Sequence, residues 1–241
     1  MRAMHATAIA LSAALSTVAF AGDASVRAFH ASPNAPAVDV LVNNTLSPIT
    51  GLSYGNVSSY VDVPGATYNF KIVPAGAIAP VVFDGDIALA ADTDYTIAAT
   101  GLLGGSPAFA PIVLIDDNTL NPAAARIRFV HASANAPAVD IAIAGGGVLF
   151  PNVSFGGNGG YISVPGGTYD LEVRLAGTTD VVLPRPGISV TNNQVYTAWA
   201  IGLVGDNVTP LGAAITVDAI PAPGFAGLFA AAGLVALRRR R

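Results

Sequence analysis

His30 and His131 are the side chains here best suited to chemistry near neutral pH, because imidazole titrates there without help from its surroundings. Each follows an arginine by three residues (Arg27, Arg128) and precedes an aspartate by nine (Asp39, Asp140). Imidazole with carboxylate suits a zinc ion, or the polar pair of a ligand site in each half. Two ligands are too few for zinc and no third recurs nearby, so the pairs are expected to be structural, with no metal and no cofactor. Four aspartates, Asp84, Asp86, Asp92 and Asp94, resemble a calcium loop in composition. Calcium takes six or more oxygens, and their counterparts in the second half are Arg185, Gly187, Asn193 and Val195. The run Gly51-Leu52-Ser53-Tyr54-Gly55 matches a nucleophile elbow, but that device needs a strand-to-helix turn and no helical pattern follows. Its counterpart, Asn152-Val153-Ser154-Phe155-Gly156, lacks the first glycine. No phosphate loop or dinucleotide fingerprint occurs. No catalytic residue, and no enzymatic activity, is expected.

The elements that must position these residues are themselves duplicated. Val26 to Val40 returns almost verbatim as Ile127 to Ile141, and the same 101-residue offset pairs Tyr60 with Tyr161, Pro64-Gly65 with Pro165-Gly166 and Tyr95 with Tyr196. A constant offset means two copies of one unit. Neither copy shows a sustained helical period, while short β-branched runs alternate with Gly, Pro, Asn and Asp. This predicts an all-β chain of two tandem immunoglobulin-like β-sandwiches. In the first copy strands are predicted near 25–31, 37–43, 52–55, 58–63, 66–74, 81–88, 93–101 and 109–116. The Pro-Gly pairs are read as hairpin turns with glycine at positive φ. Tyr95 and Tyr196, each after a polar turn, are read as tyrosine corners.

Alternation on the second strand puts Val38, Val40 and Val42 on the core face and Asp39 on the other, with Val139, Ile141, Ile143 and Asp140 in parallel. Arg27 and Arg128 also face away from the core, so Arg27–Asp39 and Arg128–Asp140 are expected as exposed cross-strand ion pairs. Ser32, Asn34 and Pro36 should form a tight connection, with His30 and His131 donating to a loop carbonyl. The segment Asn118 to Ala125 is short, which predicts two beads with limited mutual freedom.

The chain has 241 residues, no cysteine and a net charge of −4. Five of its 11 basic residues lie at the ends, Arg2 and Arg238 to Arg241, so the body is more acidic than the total. That argues against binding nucleic acid, which needs clustered cations. Residues 1–21 read as a secretory signal peptide, with an apolar run and small residues before cleavage after Ala21. The expected divisions are residues 1–21, a first sandwich over 22–119, a second over 120–219, and a tail over 220–241. The tail places Pro221 and Pro223 before an apolar run from Phe225 to Leu237, then Arg238, Arg239, Arg240 and Arg241. Such a run is expected to form a short hydrophobic helix and a marginal membrane anchor, with the arginines on the cytoplasmic side.

Two resemblances add to this. The tail resembles the PEP-CTERM sorting tails of bacteria that export exopolysaccharide, with Ala222 where that family usually has glutamate. It implies processing by an exosortase-type enzyme and transient or lasting attachment to the membrane. The repeated Arg-x-x-His-Ala-Ser-x-Asn-Ala-Pro-Ala-Val-Asp pattern resembles a bacterial extracellular tandem-repeat family, domain of unknown function 4397, which implies export and tandem architecture. The expectation is a non-catalytic protein of the outer cell surface or extracellular matrix, structural or adhesive, with exopolysaccharide or cell-envelope components as partners. The alternative is a carbohydrate- or ligand-binding module using Tyr54, Tyr60, Phe155 and Tyr161 as exposed rings.

Overall fold

The computed structural model describes residues 22–221. The expected signal peptide with cleavage after Ala21, and the expected tail helix with Pro223 and the arginines through Arg241, lie outside the described residues. All sixteen elements among the described residues are strands. The first copy supplies β1 (Asp23–His30), β2 (Val38–Val42), β3 (Thr45–Leu46), β4 (Val61–Pro64), β5 (Thr67–Pro74), β6 (Phe83–Ala88), β7 (Asp94–Thr100) and β8 (Ala110–Asp116). The second supplies β9 (Ala125–His131), β10 (Val139–Ile143), β11 (Val148–Val153), β12 (Asn158–Val164), β13 (Gly167–Leu175), β14 (Val181–Val190), β15 (Val195–Ile201) and β16 (Gly212–Ala219).

Each copy is a pair of four-stranded sheets. The first has β4-β1-β7-β8 over β3-β2-β5-β6, and the second has β12-β9-β15-β16 over β11-β10-β13-β14. β1 runs parallel to β7, with Val26 opposite Tyr95, and β9 runs parallel to β15 in the same register. Val26, Ala28, Val38, Val40, Phe70, Ile72, Ile87, Tyr95 and Ile97 close the first sandwich. Phe129, Val139, Ile141, Phe150 and Val173 close much of the second.

The two sandwiches are not beads. Alternation along β1 sends Val26 and Ala28 into their own core but Arg27 and Phe29 out of the opposite face, and that face is also covered. Phe29, Ala31, Ala98 and Leu114 pack there against Val130, Ala132, Trp199 and Ile201 of the second copy. The rings of Phe29 and Trp199 stack with centroids 4.2 Å apart. The chain is thus a stack of four sheets, with a seam between the two inner ones. Strands covered on both faces lose their polar alternation, and β7 and β15 accordingly read Asp94-Tyr95-Thr96-Ile97-Ala98-Ala99-Thr100 and Val195-Tyr196-Thr197-Ala198-Trp199-Ala200-Ile201.

Two local expectations are corrected. Pro64-Gly65 and Pro165-Gly166 are not hairpins: β4 and β5 belong to different sheets, as do β12 and β13, so each pair arches from one sheet to the other. Neither glycine has a positive φ. Glycine is needed there because a Cβ on Gly65 would lie 2.6 Å from the Ala91 amide nitrogen, and one on Gly166 would lie 2.8 Å from Asn192 Oδ1. The strand expected at 52–55 is also displaced. Asn43 and Asn44, both at positive φ, turn the chain tightly into the two-residue β3, and Leu52 keeps only an isolated bridge to Val38.

Candidate functional site

The repeated motif begins on the seam. Arg27 is 2 % exposed, and its Nη2 donates to Asp218 Oδ1 of the other copy at 2.5 Å while Nε donates to Thr96 Oγ1 at 2.8 Å. Arg128 answers from the opposite side, donating from Nη2 to Asp116 Oδ1 at 2.6 Å and from Nη1 to the Ile115 carbonyl at 3.1 Å. Thr96 and Thr197 each donate in turn to the aspartate on the neighbouring strand of their own copy, Asp116 and Asp218. The remaining edges of the quartet are longer, Arg27 to Asp116 at 3.9 Å and Arg128 to Asp218 at 3.8 Å. Each copy therefore gives its arginine to the other's aspartate, the reciprocity of a two-fold contact written within one chain.

The expected Arg27–Asp39 and Arg128–Asp140 pairs do not form. The arginines leave the sandwich through its outer face into the seam, where carboxylates on β8 and β16 meet them. Burial alone would lower the Arg27 pKa, but Asp218, Tyr60 and Asp116 together carry it above its ordinary value. Tyr60 and Tyr161 are half-buried beneath these guanidinium groups, with Arg27 over Tyr60 at 4.7 Å and Arg128 over Tyr161 at 4.9 Å. The Tyr60 hydroxyl donates to Asp116 Oδ2 at 2.6 Å. Neither ring is the exposed platform that a sugar would stack upon.

The aspartates serve the backbone instead. Asp39 accepts from the amides of Gly51 at 2.6 Å and Gly76 at 2.8 Å, tying the loop after β3 to the β5–β6 turn. Asp140 accepts from Asn152 at 2.6 Å and Gly177 at 2.9 Å. Ionised carboxylates accepting amide hydrogens form the stronger class of hydrogen bond. Ser32 and Ser133 donate to the carbonyls of Gly101 and Gly202, both at 2.7 Å. Asn34 bonds both backbone groups of Leu103, and Asn135 both of Val204.

His30 and His131 are fully buried. His30 Nε2 lies 2.9 Å from the Pro36 carbonyl and His131 Nε2 lies 3.0 Å from that of Pro137. A carbonyl can only accept, so the proton sits on Nε2, and Nδ1 of each ring is buried without a partner. Burial lowers both histidine pKa values, against a smaller opposing effect of the carbonyl bond. Each ring is held neutral as a clasp across a six-residue loop. The tyrosine corners are present: Tyr95 and Tyr196 hydroxyls accept from the amides of Ala90 at 3.0 Å and Thr191 at 3.1 Å.

The other candidates come apart. Asp84 meets Lys71 at 3.2 Å and shares Asn69 with Asp86, while Asp94 accepts from Asn118 at 2.6 Å. Among the described residues no three His, Cys, Asp or Glu side chains converge as metal ligands. Ser53 lies in the exposed loop after β3, its hydroxyl 3.5 Å from the Gly51 carbonyl, and the next element is β4. The residues missed by sequence reasoning are Asp116 and Asp218. Their signal is an offset one residue longer than elsewhere: at the constant offset Asp116 falls on Val217, because the loop after Gly202 has one residue more than that after Gly101.

Residues 24–142 match the model of DUF4397, described as a domain of unknown function. That span covers nearly all of the first copy and ends within β10 of the second. No curated protein matches the chain. Among solved structures, a CBM26 module of Eubacterium rectale Amy13K, in complex with maltoheptaose, aligns at 11% identity and a TM-score of 0.25, over 83% of this chain and 98% of that one. The Bacillus anthracis TIE protein aligns at 11% identity and a TM-score of 0.25, over 79% of this chain and 34% of that one. Likenesses this slight carry no argument about role.

Proposed function

We propose that this chain, whose residues 24–142 match the domain of unknown function, is an exported and non-catalytic structural protein of the outer cell surface or extracellular matrix. The observation that carries this reading is where the repeated polar groups go. The arginine, histidine, serine and aspartate of each copy are buried on backbone or seam partners at corresponding positions, and the exposed asparagine of each copy is likewise bonded to backbone. A motif spent in this way specifies a rigid block rather than a reaction, and no catalytic role is assigned to His30 or His131. Export rests on the residue pattern before Ala21. Delivery rests on the tail, in which Pro221 and Pro223 precede an apolar run and Arg238 to Arg241, with an exosortase-type enzyme as processing partner and exopolysaccharide or envelope components as surroundings.

Mass spectrometry of both mature termini, on protein taken from fractionated cells, tests the reading. The expected product begins at Gly22, has lost the terminal arginines and lies in the surface or matrix fraction. A cytoplasmic protein spanning Met1 to Arg241 would overturn it. A second reading, carbohydrate binding, is favoured by one feature: a polar groove of about 540 Å³ between Thr50–Ser58 and the β16 residues Ile215 and Thr216. Retention on immobilised polysaccharide that is lost in Asn56→Ala would promote it, and absence of retention would remove it.

A further inference from the structure

The first sandwich contains an apolar cavity of about 200 Å³ between its sheets, lined chiefly by Val26, Val40, Val42, Val61, Val63 and Phe70. The corresponding place in the second sandwich holds about 40 Å³. Sequence accounts for the difference. Val26, Val40, Val42 and Val61 are replaced in the second copy by Ile127, Ile141, Ile143 and Ile162, and Ile49 by Phe150; in the interior Phe70, replaced by Leu171, changes in the other direction, and at the rim Thr45 and Leu46 give way to Gly146 and Gly147. Four added methylenes and a ring fill what the first copy leaves open. The mouth differs as well, since β3 has two residues where β11 has six, and Leu46 stands 57 % exposed at the lip.

We propose that this cavity is a binding site for the end of a neutral, unbranched alkyl chain whose polar head remains outside. The chemistry follows from the lining. No charged side chain faces the space, and two polar groups at its edge are engaged: Ser47 Oγ accepts from the Ile49 amide at 3.1 Å and the Tyr68 hydroxyl donates to the Pro64 carbonyl at 2.8 Å, while Thr45 stands exposed at the mouth. A dry cavity of about 150 Å³ lined by aliphatic and aromatic side chains already admits a ring the size of benzene. A somewhat larger space, open on one side at an apolar lip, suits a chain that enters by its methyl end. The second sandwich, in the same molecule, is the internal control.

The test is a titration of the full chain with 1-octanol, followed through methyl NMR signals of valine and isoleucine, beside a Val42→Ile/Val61→Ile variant that copies the second sandwich. The expected result is saturable shifts at Val26, Val42 and Val61 with none at Ile127, Ile143 and Ile162, and at least a tenfold weaker affinity in the variant. Octanoate should shift the same valines, because its carboxylate stays in water. Non-saturable shifts, equal shifts in both sandwiches, or undiminished affinity in the variant would overturn the proposal.

Discussion

Asp39 and Asp140 hold corresponding amides at almost the same lengths, 2.6 and 2.8 Å in the first sandwich against 2.6 and 2.9 Å in the second, while the apolar interiors beneath them differ from about 200 to about 40 Å³. Directional and non-directional interactions constrain a duplicated sequence differently. A carboxylate that caps two amides has no substitute of another shape, because its oxygens must lie where the two N–H groups point. Burial of apolar area is indifferent to which methylene fills a gap, so valine and isoleucine exchange freely. The seam repeats this division. Its charges are kept in both copies, yet Phe29 and Trp199 have Val130 and Ala98 as counterparts, so a large pair stacks where the other copy sets two small residues.

The comparison can be broken most severely at the charges. Arg128→Ala leaves Asp116 buried with its principal cation gone, and Arg27→Ala does the same to Asp218. Each is expected to cost about 3–5 kcal/mol in denaturant unfolding, and near-equal losses would show that the seam is reciprocal. Next come Asp39→Ala and Asp140→Ala, each expected to cost about 1.5–3 kcal/mol by removing a carboxylate that accepts two amide hydrogens. A large loss in one copy with none in the other would refute their equivalence. Filling the open sandwich with Val42→Ile/Val61→Ile should stabilise by about 1 kcal/mol, whereas Ile143→Val/Ile162→Val should destabilise by a similar amount.

The gentlest perturbation is mild acid. Burial depresses the pKa of His30 and His131 in the folded protein, so between the folded and unfolded values the unfolded chain binds more protons. Their contribution is fully present above the ordinary histidine pKa, near 6.5, and diminishes as pH falls below it. Denaturant midpoints across pH 5 to 8 should fall toward the acid end (a range set by histidine's usual titration). In His30→Gln/His131→Gln that dependence should flatten.

Much of this architecture was legible because it was written twice. The offset exposed both copies, alternation at Val38, Val40 and Val42 identified the core face, and Tyr95 and Tyr196 marked their corners. The seam was not legible from the same signals. Arg27 points away from its own core, and an outward residue reads as solvated until a second sheet is known to cover it. The apolar run in β7 and β15 carried that information, since strands facing water on one side keep a polar face. Asp218 was hidden for a different reason, the extra residue in the loop before β16. The Pro-Gly arches were misread because a dipeptide suited to a turn does not encode whether the chain returns to the same sheet or crosses to another.

Trp199 is the only tryptophan of the chain and lies in the seam against Phe29, so its fluorescence reports the contact between the two sandwiches. The decisive measurement is denaturant unfolding followed at once by that fluorescence and by far-ultraviolet circular dichroism. Interlocked sandwiches predict one coincident transition for both signals, a native tryptophan shielded from iodide, and an equal shift of both curves in Arg27→Ala. A tryptophan quenched by iodide in native buffer, or one that loses its environment while the β signal persists, would contradict the account.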